Sequence, residues 1–138
     1  MDVEGTVVAG PEYEPTEGRV VVEDGRIVAV EAAPVASDDL VIPALVDAHT
    51  HVGDSVAKEA AVGLGLEAAV APPDSVKHRR LAAASREELV TAMRRTVRFM
   101  GAAGTAAFVD FREAGVAGAA ALREAVAAAG AAGRAAAL

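Results

Sequence analysis

The sequence contains no cysteine, and only two of its 138 residues, Lys58 and Lys77, are lysines. The absence of cysteine excludes disulfide bonds, thiolate metal ligands and cysteine nucleophiles. The other eleven basic residues are arginines, and acidic residues outnumber basic ones, which gives a net charge of -7. This charge would repel a nucleic-acid backbone or an anionic membrane surface, so we expect neither as a partner. A small-molecule substrate is favoured instead.

The sequence also lacks the segments that direct a chain to or across a membrane. Outside the alanine-rich tail, no apolar stretch reaches 18 residues, and Arg123, Glu124 and Arg134 interrupt that tail. The first residues, Met1 to Glu4, have neither the basic start nor the apolar stretch of a secretory signal. We therefore expect a cytoplasmic protein. Nucleophile elbows, phosphate-binding loops and dinucleotide fingerprints are missing as well.

Residues 5–31 have the short, β-branched pattern of strands. The pair Asp24-Gly25 separates two such runs, and an Asp-Gly pair in this setting favours a tight two-residue hairpin turn. That turn predicts a register with two cross-strand pairs: Glu23 with Arg26, and Val22 with Ile27.

From Leu40 onward the pattern changes to alternating strands and helices. The apolar run from Leu40 to His51 predicts a buried parallel strand, followed by a long connection over residues 52–84. Ser85 and Glu88 match a capping box and predict a helix start. The helix should bury one apolar stripe: Leu89, Met93, Val97 and Met100.

The remainder repeats the unit. Residues 105–111 read as a second strand, a helix should end near Gly130, and residues 133–138 should open a third strand. Strand-helix-strand units of this kind build parallel sheets and barrels, so the predicted fold class is α/β.

The run from Pro43 to His51, with the sequence PALVDAHTH, carries most of the functional information. Residues i and i+2 of a strand project to the same face, so His49 and His51 should lie side by side, with Asp47 one step behind them. Imidazole is a common ligand of catalytic metal ions, and two imidazoles form only part of a ligand shell. The alternative is a pair of strand-end histidines that make ordinary hydrogen bonds.

A β-rich start followed by residues 41–51, VIPALVDAHTH, resembles the beginning of the amidohydrolase superfamily of metal-dependent hydrolases, such as those similar to cytosine deaminase and dihydroorotase. Ala44 stands where that family often has glycine. The resemblance implies a partial β-sandwich domain over residues 1–42 and the first strands and helices of a TIM (β/α)8 barrel over residues 43–138. It also implies that His49 and His51 bind a divalent metal ion, with zinc preferred to iron.

The same resemblance implies that several functional groups lie on later barrel strands: further metal ligands and the main catalytic aspartate. A complete barrel takes roughly 200 residues or more, whereas residues 43–138 number 96. We therefore expect a truncated chain or a fragment. It would lack the C-terminal portion of the barrel, or would acquire that portion by association with another chain.

Other polar residues near the predicted strand ends are weaker candidates. Asp47 should act behind the metal ligands or bond loop backbone, and Asp54 should face the site or cap a short helix. Three residues are candidates for contact with substrate, with a solvated turn or an internal ion pair as the alternative in each case: His78, Asp110 and Glu113.

The predicted activity is hydrolysis of a carbon-nitrogen bond other than a peptide bond, in a small cyclic amide or amidine. Deamination of a nucleobase-like ring is one reaction of this kind, with a metal-activated water as nucleophile. The alternative is a catalytically inactive fragment, or a half-barrel that another chain completes.

Overall fold

Two units, Met1–Ala44 and Leu45–Leu138, make up the computed structural model, which describes residues 1–130 and 135–137. No helix within those residues is both long enough and apolar enough to span a membrane. The assignment of residues 1–42 to a sandwich domain and of residues 43–138 to a barrel stays a prediction.

The first unit is a four-stranded sheet with the order β3-β2-β1-β4. Strands β1 and β2 are antiparallel, as are β2 and β3, whereas β4 runs parallel to β1. The strand bounds are β1 Asp2–Ala9, β2 Glu14–Glu23, β3 Arg26–Ala32 and β4 Leu40–Val41.

The predicted hairpin is confirmed with its register. Val22 pairs with Ile27, and Glu23 pairs with Arg26. Asp24 and Gly25 form the turn with positive φ angles of 49° and 73°. A tight turn that matches the twist of the strands needs positive φ at both central residues, which Asp-Gly tolerates.

The second unit holds a three-stranded parallel sheet with the order β5-β6-β7. Its strands are β5 Leu45–Thr50, β6 Thr105–Asp110 and β7 Ala135–Ala137. The helices are α1 Leu66–Val70, α2 Val76–Ala83, α3 Arg86–Ala102 and α4 Gly115–Ala129. The second strand and the following helix are confirmed. Of the predicted third strand, residues 133, 134 and 138 lie outside the described residues.

The single strand predicted from Leu40 to His51 is wrong in its extent. The run is divided between β4 of the first sheet and β5 of the second, and β5 ends at Thr50. Pro43 lies between the two strands. Proline has no backbone N–H to give to a strand ladder, so the apolar run cannot continue there as one central strand.

The connection over residues 52–84 contains more helix than we predicted. A short 3-10 helix spans Val52–Val56, and α1 and α2 follow it. The start of α2 has a recognisable signal, because the Ser75 side chain accepts a hydrogen bond from the backbone N–H of His78. These helices are too short to show the apolar periodicity by which helices are found in a sequence.

Helix α3 begins and packs as predicted. Ser85 and Glu88 form the complete capping box, and Met93 and Val97 are buried while Leu89 and Met100 pack against the core. The core of the unit lies between α3, α4, the 3-10 helix and β6, with the following buried residues: Val52, Met93, Val97, Phe108, Ala121, Leu122 and Ala125.

An ion-pair network fixes α2 to two chain segments that follow strands. Lys77 Nζ lies 2.9 Å from Asp54 and 2.7 Å from Glu113, and Arg112 lies 2.6 Å from Glu113. Burial alone would raise the pKa of Glu113, but the bonds from Lys77, its own backbone amide and Arg112 lower that pKa to about 2. Burial alone would lower the pKa of Lys77, and its bonds to Glu113 and Asp54 raise it.

Removal of the cap should weaken α3. We expect Ser85→Ala to lower the free energy of unfolding by about 1 kcal/mol, because the N–H of Glu88 loses its acceptor. Urea unfolding followed by circular dichroism measures the change. Glu87→Gln, in the same helical turn, is the control and should change the free energy little; equal midpoints for wild type and Ser85→Ala would contradict the prediction.

The network should also make stability depend on pH in acid. The pKa of Glu113 is lowered by folding, so its contribution is complete above pH 4.5 and is lost as the pH falls toward about 2. We expect Glu113→Gln to lower the unfolding free energy at neutral pH by roughly 1 kcal/mol, since partial exposure screens the pairs. Its loss of stability between pH 4.5 and 2 should be smaller than that of the wild type.

Urea midpoints across this pH range measure the difference. The control is Glu124→Gln, which removes an exposed carboxylate paired with Arg86. It should leave the loss of stability between pH 4.5 and 2 unchanged. Parallel pH curves for Glu113→Gln and wild type would show that the network contributes nothing.

Candidate metal centre

The end of β5 brings two imidazole rings together at its exposed face. The Nε2 atoms of His49 and His51 lie 3.2 Å apart, and the ring centroids are separated by 5.2 Å with an interplanar angle of 53°. Both residues are exposed. The side-by-side placement expected from their spacing is therefore present, although His51 lies one residue beyond the end of the strand.

This separation fits a shared metal ion. If a zinc ion lay about 2.0–2.1 Å from each Nε2 atom, a 3.2 Å separation would give an N–metal–N angle of roughly 100°, close to the tetrahedral angle. The same separation also allows a direct hydrogen bond between the rings, in which one Nε2–H donates to the other Nε2, and that proton would have to leave Nε2 for both nitrogens to bind the ion. Among the residues that the structure describes, however, no group of three or more His, Asp or Glu side chains could hold a metal.

Phe111 supports the pair from β6. Its ring centroid lies 4.4 Å from that of His49 and 6.0 Å from that of His51, and its backbone N–H donates to the carbonyl oxygen of Thr50. Sequence reasoning assigned Phe111 only to the second strand. Phe111 lies directly after β6, at the sheet edge where the carboxyl ends of the strands meet. That position could have identified it as part of the site.

Asp47 contacts the backbone of one candidate ligand. Its Oδ1 atom accepts a hydrogen bond of 3.1 Å from the backbone N–H of His49. The carboxylate therefore helps to fix the main chain at the histidine pair. Whether it also acts behind a bound metal stays a prediction.

Asp110 is completely buried beside the histidines. Its Oδ1 atom accepts hydrogen bonds from the Thr50 hydroxyl at 3.0 Å and from the Val52 backbone N–H at 2.5 Å. Its Oδ2 atom lies 3.5 Å from Nε of Arg112 and has no hydrogen-bond partner among the residues that the structure describes. These internal contacts favour a structural role over the substrate contact predicted from its strand-end position.

The other two substrate candidates have different surroundings. The Glu113 carboxylate is committed to the network with Lys77 and Arg112, which also contains Asp54. The Nδ1 atom of His78 lies 2.8 Å from the Ser75 hydroxyl at the start of α2. The structure thus brings Glu113 and Asp54 together through Lys77, while His78 takes part in a helix cap.

An open cleft of about 490 Å³ has His51 in its wall. Two cationic side chains, Lys58 and Arg95, line the same cleft. Asp54 and Phe99 also form part of its wall. Sequence reasoning did not identify Lys58 or Arg95. Helix α3 carries Arg95, and nothing in the local sequence shows that this part of α3 lies near the end of β5.

Comparisons with known proteins give matches to a family, to relatives and to a solved structure. Residues 40–135 match the model of the amidohydrolase family. A protein of Methanothermobacter thermautotrophicus, provisionally named an aminohydrolase, is 43% identical over 129 residues, which cover 88% of this chain and 34% of that protein. A protein of Archaeoglobus fulgidus with the same provisional name is 40% identical over 102 residues, or 73% of this chain and 29% of that protein.

An uncharacterized protein of Methanocaldococcus jannaschii is 33% identical over 122 residues. A solved structure from a characterization of molinate hydrolase has a TM-score of 0.60 and 20% identity, and it covers 98% of this chain and 28% of that chain. At that identity the likeness concerns the fold alone, and it agrees with an α/β, barrel-like architecture.

The chain spans about a third of the length of its curated relatives. The family match covers well over half of the chain and confirms the predicted resemblance, so this chain belongs to the amidohydrolase family.

Proposed function

We propose that this chain supplies the first two metal ligands of a hydrolase that cleaves a carbon-nitrogen bond, other than a peptide bond, in a small cyclic amide or amidine. Deamination is one reaction of this class. The observation that carries the proposal is the 3.2 Å separation of the His49 and His51 Nε2 atoms at the end of β5, within a chain of the amidohydrolase family.

The proposed cofactor is a divalent ion, with zinc preferred to iron. Amidohydrolases generally use divalent metals, and neutral imidazole suits both ions. When bound, such an ion makes hydroxide available near neutral pH, because it lowers the pKa of water from about 15.7 toward ~7.

The residues of this chain would hold and orient the reacting groups. His49 and His51 would present Nε2 to the ion, so the proton of each neutral ring would reside on Nδ1. Phe111 would limit rotation of both rings by packing against them. Lys58 and Arg95 give positive charge to the cleft next to His51, which favours a substrate with a carbonyl oxygen or an anionic group.

Two further parts of the mechanism are proposed from the family resemblance. Additional metal ligands and the aspartate that transfers the proton would come from later strands of the barrel. Because the chain spans about a third of its relatives, the activity of the complete protein belongs to this proposal. Substrate contacts by His78 and Glu113 belong to it as well.

A second candidate is a half-barrel that associates with another polypeptide, or an inactive fragment. The observation that favours it is the exposure of β5, an edge strand of the three-stranded sheet, where Leu45 is 52% and Val46 68% exposed. An exposed apolar edge strand favours pairing with another chain. Such association would supply the missing wall of the site.

We expect the chain to bind one zinc ion weakly, because two imidazoles form only part of a ligand shell. His49→Ala or His51→Ala should abolish that binding, because a single imidazole is left. Isothermal titration calorimetry with zinc chloride measures the affinity. A parallel titration with cobalt, followed by its visible absorption spectrum, reports the ligand field of the bound ion. The third histidine of the chain provides the control: His78→Ala should retain wild-type binding. Equal zinc affinity in wild type and in both variants of the pair would refute the proposal.

Molecular size separates the two candidates. An enzyme assembled from more than one chain should sediment as a species larger than 13.9 kDa and should carry stoichiometric zinc. Sedimentation velocity combined with metal analysis of the same fractions measures both quantities. A monomer that contains no metal and hydrolyses no cyclic amide after zinc is added would instead support the inactive fragment.

A further inference from the structure

We propose that Asp110 is a positioning residue that holds His51, and through it the histidine pair, in the geometry needed to share one metal ion. This inference deepens the proposed function, and it rests on that function because the geometry serves metal binding by the two histidines. It assigns to Asp110 a role different from the substrate contact that its strand-end position predicts.

The hydrogen bonds of Asp110 lie on both sides of His51. Its Oδ1 atom accepts from the side chain of Thr50, which precedes His51, and from the backbone of Val52, which follows it. The Thr50 hydroxyl also lies 3.0 Å from the carbonyl oxygen of Val109. A residue whose two neighbours are fixed to the same carboxylate has little freedom to move its Cα atom, so the imidazole leaves the backbone from a defined point.

The carboxylate is itself held in place. Its side chain has no solvent exposure, and Oδ2 faces the Arg112 guanidinium, whose own side chain is only 6% exposed. Arg112 is in turn fixed by Glu113 at 2.6 Å. A buried carboxylate is costly unless it is paired. The pairing with Arg112 therefore holds the carboxylate where Oδ1 bonds to Thr50 and Val52 at the end of β5.

Phe111, the next residue in the chain, adds two contacts to the same assembly. Its N–H donates to the Thr50 carbonyl oxygen at 2.9 Å, and its ring packs against both imidazoles. Loss of the bonds to Asp110 would leave residues 50–52 with fewer bonds to β6 and to the residue that follows it. The ring contacts should then weaken together with the 3.2 Å approach of the two Nε2 atoms.

Asp110→Ala tests this assignment in the 138-residue chain. We expect zinc affinity to fall by roughly 10- to 100-fold, the range typical for groups that orient metal ligands. In the metal-free protein, nuclear Overhauser contacts between the Phe111 ring and the imidazoles should be lost. Asp110→Asn keeps an oxygen acceptor and should restore much of both signals. Thr50→Val, which removes one donor and keeps the side-chain shape, should give a smaller loss.

The control separates positioning from general stability. Ser85→Ala removes the cap at the start of α3, so it should lower stability while zinc affinity and ring contacts stay unchanged. If Asp110→Ala retains both signals, the positioning role is overturned. If Asp110→Ala does not fold, Thr50→Val decides by the same two readouts, and wild-type zinc affinity and ring contacts in that variant would overturn the role.

The two proposals can fail separately. A wild-type chain that binds no zinc contradicts the proposed function, while the ring contacts in the metal-free variants still test Asp110. A wild-type chain that binds zinc as tightly as Asp110→Ala preserves the proposed function and removes the positioning role.

Discussion

The pairing of the end of β5 with the end of β6 is the constraint on which the candidate site depends. Thr50 lies opposite Asp110 in the parallel sheet, and the carboxylate of Asp110 then binds both neighbours of His51. Phe111 follows directly and packs on the two imidazoles. Two strands separated by about 60 residues of sequence therefore build one site, and the core between α3, α4 and β6 keeps β6 in position.

The features that were predictable from the sequence have local causes. The turn at Asp24-Gly25 depends on the φ angles of two residues, and the cap at Ser85 depends on a side chain four residues or fewer from its partners. The proximity of His49 and His51 follows from the alternation of side chains along a strand. In each case the partners lie within a few residues of each other, so no knowledge of the tertiary fold is required.

The features that sequence reasoning missed depend on contacts between distant segments. Pro43 marks a break in the apolar run from Leu40 to His51, but the sheet that each end joins is decided by distant segments. The ion pairs of Lys77 with Asp54 and Glu113 join α2 to the 3-10 helix and to the turn between β6 and α4. The same holds for Asp110: its position at a strand end suggested a contact with substrate, and only its complete burial and its acceptor bonds around His51 show an internal role.

The central claim is that His49 and His51 bind one metal ion through their Nε2 atoms. X-ray absorption spectroscopy of the zinc-loaded chain measures this most directly. The claim predicts two imidazole nitrogens about 2.0–2.1 Å from zinc, with the multiple-scattering pattern of histidine rings. A zinc shell made of oxygen atoms alone, or one containing a single imidazole, would contradict it.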